Sequence, residues 1–219
     1  MNKLVLVTAS IVFLTASSAF SAPINWTSWT IGGSGATGTV TQNGTAIDVT
    51  YVGHALSTDK SNWGEGSPAP YTGSSVVDNA PTSGISLKDI STKNTLTFGQ
   101  NLIDPVFALY SVGSGSIPVD YIFDQPFTLI SQGEGHWGGS ATSFSVSGNT
   151  LTGEEGNGVV QFAGSISSIS WDNAPAEFHH GFTLGAIDEI APVPEPSTFL
   201  LLGSGLAGLG FYARKRKKA

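Results

Sequence analysis

The 219-residue chain has no cysteine. That excludes disulfides, thiolate metal sites and a cysteine nucleophile, so the fold must be held by its core or by bound ions. Positive charge is nearly missing from the middle of the chain. Between Ala22 and Ala191 there are three lysines (Lys60, Lys88 and Lys93) against fifteen Asp or Glu. A domain that acidic repels phosphate backbones, so nucleic acid is excluded as a partner. Helical patterning is also absent: no central window carries apolar residues at i, i+3 and i+4 over a helical length. No G-x-S-x-G, H-E-x-x-H or phosphate-loop motif occurs, and the chain is not expected to be an enzyme.

What the middle contains is glycine, of which the chain has 28, with Ser, Thr and short alternating apolar runs. Thr37 to Val52 reads as a hairpin about Asn43-Gly44, a pair in which both residues tolerate positive φ, with Ile47, Val49 and Tyr51 on one face. Further strands are predicted over 94–98, 106–111, 119–123, 127–131, 159–163, 165–171 and 182–187, with a second hairpin about Gly148-Asn149. Val160 with Phe162, and Ile169 with Trp171, are assigned to the core. Ile166 has the wrong parity and joins them only through a bulge. Of Trp26 and Trp29, three apart, at most one can face the core. Ser57 to Gly84 reads as one long irregular loop carrying Trp63, Glu65, Tyr71 and Asp78. The predicted fold is an all-β antiparallel sandwich, jelly-roll-like, over residues 22–191.

The two ends carry different information. Met1-Asn2-Lys3, the apolar stretch to Phe20 and the small residues about Ala19 and Ser21 form a secretory signal peptide over 1–21. Its partners are the Sec translocon and signal peptidase, with the cut after Ser21. At the other end, Pro194 and Pro196 flank Glu195 and hold an extended, accessible segment. Phe199 to Ala213 follows without a charge, and then Arg214, Lys215, Arg216, Lys217 and Lys218. A basic cluster directly after an apolar segment stays cytoplasmic. Fifteen helical residues span about 22 Å, short of a hydrocarbon core of about 30 Å. Including Ser197 and Thr198 and letting Arg214 and Lys215 snorkel makes a marginal span feasible for the transmembrane helix over 198–213.

At these residues the chain resembles the PEP-CTERM sorting domain of Gram-negative bacteria. Val193, Pro194, Glu195, Pro196 and Ser197 match its motif, the apolar segment its helix, and Arg214–Lys218 its basic end, all within 192–219. The resemblance implies an exported substrate of an exosortase, a membrane transpeptidase-like cysteine enzyme. It further implies transient anchoring in the inner membrane, then the cell surface or the extracellular matrix, with exopolysaccharide and biofilm as the setting. A signal of this type is sometimes labelled an ice-binding C-terminal domain. The middle of the chain has no regular Thr-x-Thr ladder, and ice binding is not expected.

The candidate glycan contacts are Trp137, His136, Glu134 and Trp63. Gly133-Glu134-Gly135-His136-Trp137-Gly138-Gly139 puts an aromatic platform beside two hydrogen-bonding groups, the pairing that a sugar's apolar face and polar edge require. The plain alternative is a tryptophan that folds back to cap a sheet edge. Glu177-Phe178-His179-His180 offers adjacent histidines, which in a strand point apart, and no metal site is expected. Glu154-Glu155-Gly156-Asn157-Gly158 offers oxygens of the kind calcium takes, but in no known loop spacing, and reads as a solvated acidic turn. No cofactor is expected. A polysaccharide hydrolase or lyase, pairing Glu134 with Glu154 or Glu155, is the alternative to a binding protein, and a purely structural envelope component is another.

Overall fold

The computed structural model describes residues 23–33, 35–64, 66–88 and 93–188, together with 203, 205, 206 and 214. The signal peptide, the 193–197 motif and nearly all of the helix and basic tail lie outside the described residues. So does Glu65.

From Ile24 to Ile187 the chain forms two antiparallel sheets facing each other, the sandwich that the alternating runs predict. One sheet runs in the order β10 (Thr128–Gln132), β13 (Gly156–Gln161), β8 (Val106–Val112), β15 (Phe178–Ile187), β6 (Gly84–Lys88), β5 (Ala55–Asp59). A short β1 (Ile24–Trp26) adds to β15. The other runs β11 (Phe144–Ser147), β12 (Thr150–Gly153), β9 (Val119–Phe123), β14 (Ser165–Ala174), β7 (Asn94–Ile103), β4 (Thr45–Val52), β3 (Gly35–Gln42), β2 (Ser28–Gly32).

Turn chemistry sets the local register. Asn43 and Gly44 both take positive φ (52° and 74°), as a two-residue type I′ hairpin requires, and this turns β3 into β4. Ile47, Val49 and Tyr51 are buried while Asp48 and Thr50 face solvent. A shift in the β14–β7 ladder between Ile166 and Ser168 supplies the bulge that brings Ile166 against the core. Trp26 and Trp29 fall in different sheets, because the chain changes sheet between them. The buried Thr27 makes the crossing by donating its N–H and its Oγ1 to Leu184 O, at 2.9 and 2.8 Å.

The core between the sheets is aromatic. Trp171 meets Phe107 and Phe182 edge-on at 5.1 and 5.0 Å between centroids and lies near-parallel to Tyr51 and Tyr121. Val160, Phe162 and Ile169 are fully buried with it.

The long irregular segment is shorter and better packed than its composition predicts. Residues 55–59 are strand β5, and the rest lies against the outer face of the first sheet. Trp63, Tyr71 and Val77 pack there on Val106, Ala108, Tyr110 and Val159. Strand β8 is buried on both faces as a result: Phe107 and Leu109 point into the sandwich, and Val106, Ala108 and Tyr110 under the loop. This corrects one sequence expectation. Trp63, a candidate glycan contact, is 4% exposed, with Tyr71 and Tyr110 edge-on at 5.3 and 5.0 Å.

Candidate functional site

A cavity of about 490 Å³ opens at one end of the sandwich. The end of β8, the start of β9, the turn before β13 and the turn into β15 converge there with the glycine-rich loop. That volume lies within the usual size for a small-ligand site. Ser111, Glu155, Glu177 and His179 supply polar groups, while Trp137, Ile117 and Phe178 stand at its rim, 56%, 56% and 57% exposed.

The local backbone explains how the loop presents its aromatic. Gly135 and Gly138 exchange backbone hydrogen bonds (2.7 and 3.2 Å), closing a tight turn with His136 and Trp137 at its tip. The two rings meet edge-on at 4.9 Å. A Cβ at Gly135 would sit 2.3 Å from Asn157 Oδ1, and one at Gly139 2.3 Å from Glu155 O, so the loop lies too close to its support for a larger residue.

That support is Asn157, whose side chain is fully buried. Its Oδ1 accepts from Ser111 N–H at 3.0 Å, and its Nδ2 donates to Gly138 O at 3.0 Å and Glu155 O at 2.8 Å. One amide thus ties the tryptophan loop, the end of β8 and the acidic turn together. Ser111 Oγ in turn donates to Glu155 Oε2 at 3.1 Å.

Strain gathers at the same place. Ser111, Glu155 and His179 take positive φ (49°, 56° and 69°), and among the described residues only Asn43 and Asp104 are other non-glycine cases. Left-handed backbone at non-glycine residues costs about 1–3 kcal/mol each and persists where surrounding structure over-determines it. For His179 the cause is the bulge between Phe178 and His180, the irregularity that adjacent histidines need. It does not bring them together. His179 stays exposed at the cavity, whereas His180 turns into the core, where its Nδ1 meets the Tyr121 hydroxyl at 2.5 Å.

Glu177 completes the wall, its side chain 9% exposed and its Oε2 3.3 Å from His180 Nδ1. Burial lifts its carboxyl to about 8; the Gly113 N–H pulls the other way, and the charge of Glu155 adds a smaller push upward. Burial lowers His180 to about 3, so both groups are neutral at pH 7. Glu177 therefore costs stability as pH rises from its ordinary 4.5 to about 8, and His180 as pH falls from 6.5 to about 3. The two slopes cancel between 4.5 and 6.5, and above that Glu177 acts alone at about 1.4 kcal/mol per pH unit. Denaturant unfolding is expected to show about 2 kcal/mol lost between pH 6.5 and 8 in the wild type. Glu177→Gln is expected to remove that loss, and the same slope in the variant would mean that it arises from another group and that Glu177 is not held protonated.

The structure thus brings Trp137 to a cavity and puts His136 on its ring. Glu134 is exposed on the same loop but does not line the cavity, and Trp63 is in the core. Glu155 and Glu177 are the carboxyls that share the cavity, rather than a pair including Glu134. Among the described residues no group of three or more His, Asp or Glu is placed to hold a metal ion.

The family model for the PEP-CTERM protein-sorting motif matches residues 192–217. The chain carries a PEP-CTERM sorting signal. This motif implies an exported protein that an exosortase processes and sorts to the cell surface. The match leaves the sandwich, from Ile24 to Ile187, outside it. Neither the curated proteins nor the solved structures contain a match to the chain.

Proposed function

We propose that this PEP-CTERM protein is a surface or matrix component whose passenger binds a glycan of the exopolysaccharide at the end cavity. The observation that carries the reading is that exposed Trp137 and Phe178 line the same cavity as the polar groups of Ser111, Glu155 and His179. Sugar rings stack their C–H faces on aromatic surfaces and hydrogen-bond along their edges. Nothing in the core calls for Trp137 to be aromatic. The winding favours a jelly-roll-like scaffold, since from β8 onward every connection but the β11–β12 hairpin crosses from one sheet to the other.

Trp137→Ala is expected to abolish retardation in glycan-containing gels while shifting the unfolding midpoint by less than about 0.5 kcal/mol, as for other exposed positions. Undiminished retardation would sink the reading. For the sorting signal, Pro194-Glu195-Pro196 replaced by three alanines is expected to leave the protein unprocessed in the inner membrane. Normal arrival at the surface would sink that part.

A hydrolytic reading draws on the two carboxyls in one cavity, one of them held protonated as a general acid would be. Glu177 Oε2 is buried toward His180, however, and not open to a substrate. Binding without turnover is the better-supported function, and release of reducing ends from any bound glycan would reverse that choice.

A further inference from the structure

A plain hexose carries hydroxyls around its edge, and the walls of the end cavity offer few partners for them. Ser111 Oγ is committed to Glu155 Oε2, Ser114 Oγ accepts from the Ile117 N–H at 3.2 Å, and Glu177 Oε2 faces His180. Between these groups the lining is apolar, supplied by Ile117, Val119, Ala176 and Phe178. A hydroxyl pressed against such a wall without a partner costs free energy. The surface gives an independent sign of the same demand. Of the eight large apolar side chains exposed among the described residues, three gather at this one opening, Ile117, Trp137 and Phe178. One aromatic is enough to stack a sugar ring. Exposed apolar side chains clustered beyond that need belong to a surface that a ligand covers. Charge narrows the choice further. Glu155 lines the cavity and, among the described residues that line it, there is no Lys or Arg to meet an anionic sugar.

We infer that the cavity takes a neutral sugar carrying an acetamido group, with the ring on Trp137 and the acetyl methyl against Ile117, Val119 and Ala176. This rests on the glycan reading and names its substrate class. An acetamido group puts a methyl, an N–H and a carbonyl where a plain hexose has one hydroxyl. The methyl takes up the apolar wall. Among the lining groups the Glu155 carboxylate is an acceptor for the N–H, and the Ser114 hydroxyl or the His179 ring a donor for the carbonyl. A uronate instead brings a second negative charge beside Glu155.

The test compares ligands that differ only in the inferred group. The exported protein is titrated with hexamers of N-acetylglucosamine, of glucose in the same linkage, and of a uronic acid. The acetylated hexamer is expected to bind about tenfold more tightly than the glucose hexamer, the worth of one buried methyl and one hydrogen bond. The uronate is expected to bind weakest. Ile117→Ser is expected to cut the preference for the acetylated hexamer to about threefold, by removing part of the apolar wall. Ile122→Ser makes the same change at another exposed isoleucine, which does not line the cavity, and is expected to leave the preference intact. Equal affinity for the acetylated and glucose hexamers, or a preference for the uronate, would overturn the inference while leaving glycan binding standing. So would an undiminished preference in Ile117→Ser, or an equal loss in both variants. Absence of binding to all three hexamers would overturn the inference and the glycan reading together.

Discussion

Asn157→Ala is expected to unfold the end of the sandwich and destroy the cavity together. The amide is completely buried and spends its three hydrogen bonds on three different chain segments. Without it the Ser111 N–H and the carbonyls of Gly138 and Glu155 lose the partner that replaces water. A buried polar group left unsatisfied costs about 1–3 kcal/mol, so a loss of about 3–5 kcal/mol is expected in denaturant unfolding. Asn157→Asp is the sharper variant. It is nearly isosteric and keeps the acceptor for Ser111 N–H, but both donations are lost and a charge is buried. It too is expected to lose glycan binding, because the Gly138 carbonyl at the base of the tryptophan turn is released. A loss below about 1 kcal/mol for the alanine variant would contradict the role given to this amide.

Trp63→Ala is expected to cost about 3–5 kcal/mol as well, for a different reason. Its indole Nε1 makes no hydrogen bond, so the loss is one of packing against Tyr71, Tyr110 and the face of β8. Trp63→Phe should recover most of it. Both variants, held at a temperature where they are folded, are expected to bind glycan as the wild type does. Weakened binding with unchanged stability would return Trp63 to the surface role its composition suggests.

Trp63 also marks where the sequence stopped being legible. Turn chemistry is local, so Asn43-Gly44 and Gly148-Asn149 announced their hairpins, and strand alternation announced β4, β7, β9 and β14. The cover over the first sheet is not local. Ser, Pro and Gly between residues 60 and 83 look solvated, and what buries the few aromatics among them is a distant strand. The one signal was V-F-A-L-Y-S-V at 106–112, an unbroken apolar run that makes sense only with both faces covered. Sheet assignment was hidden for the same reason, since Trp26 and Trp29 look like one strand until Thr27 bonds to Leu184.

The site was half legible. Glycine spacing pointed to Trp137 and His136 because close backbone approach leaves its mark in the sequence as missing side chains. Asn157 was invisible as a support: within Glu154–Gly158 it reads as one more turn residue, and its three partners lie 2, 19 and 46 positions away. Glu177 and His180 looked like a polar bend, yet the bulge at His179 sends one to the cavity wall and the other into the core.

The most direct test of the account is a crystal structure of the exported protein with an oligosaccharide of the exopolysaccharide. The expected result is one sugar ring stacked on Trp137, with its hydroxyls within about 3 Å of polar atoms of Ser111, Glu155 or His179. An empty end cavity at saturating oligosaccharide, or sugar bound on another face of the sandwich, would contradict it.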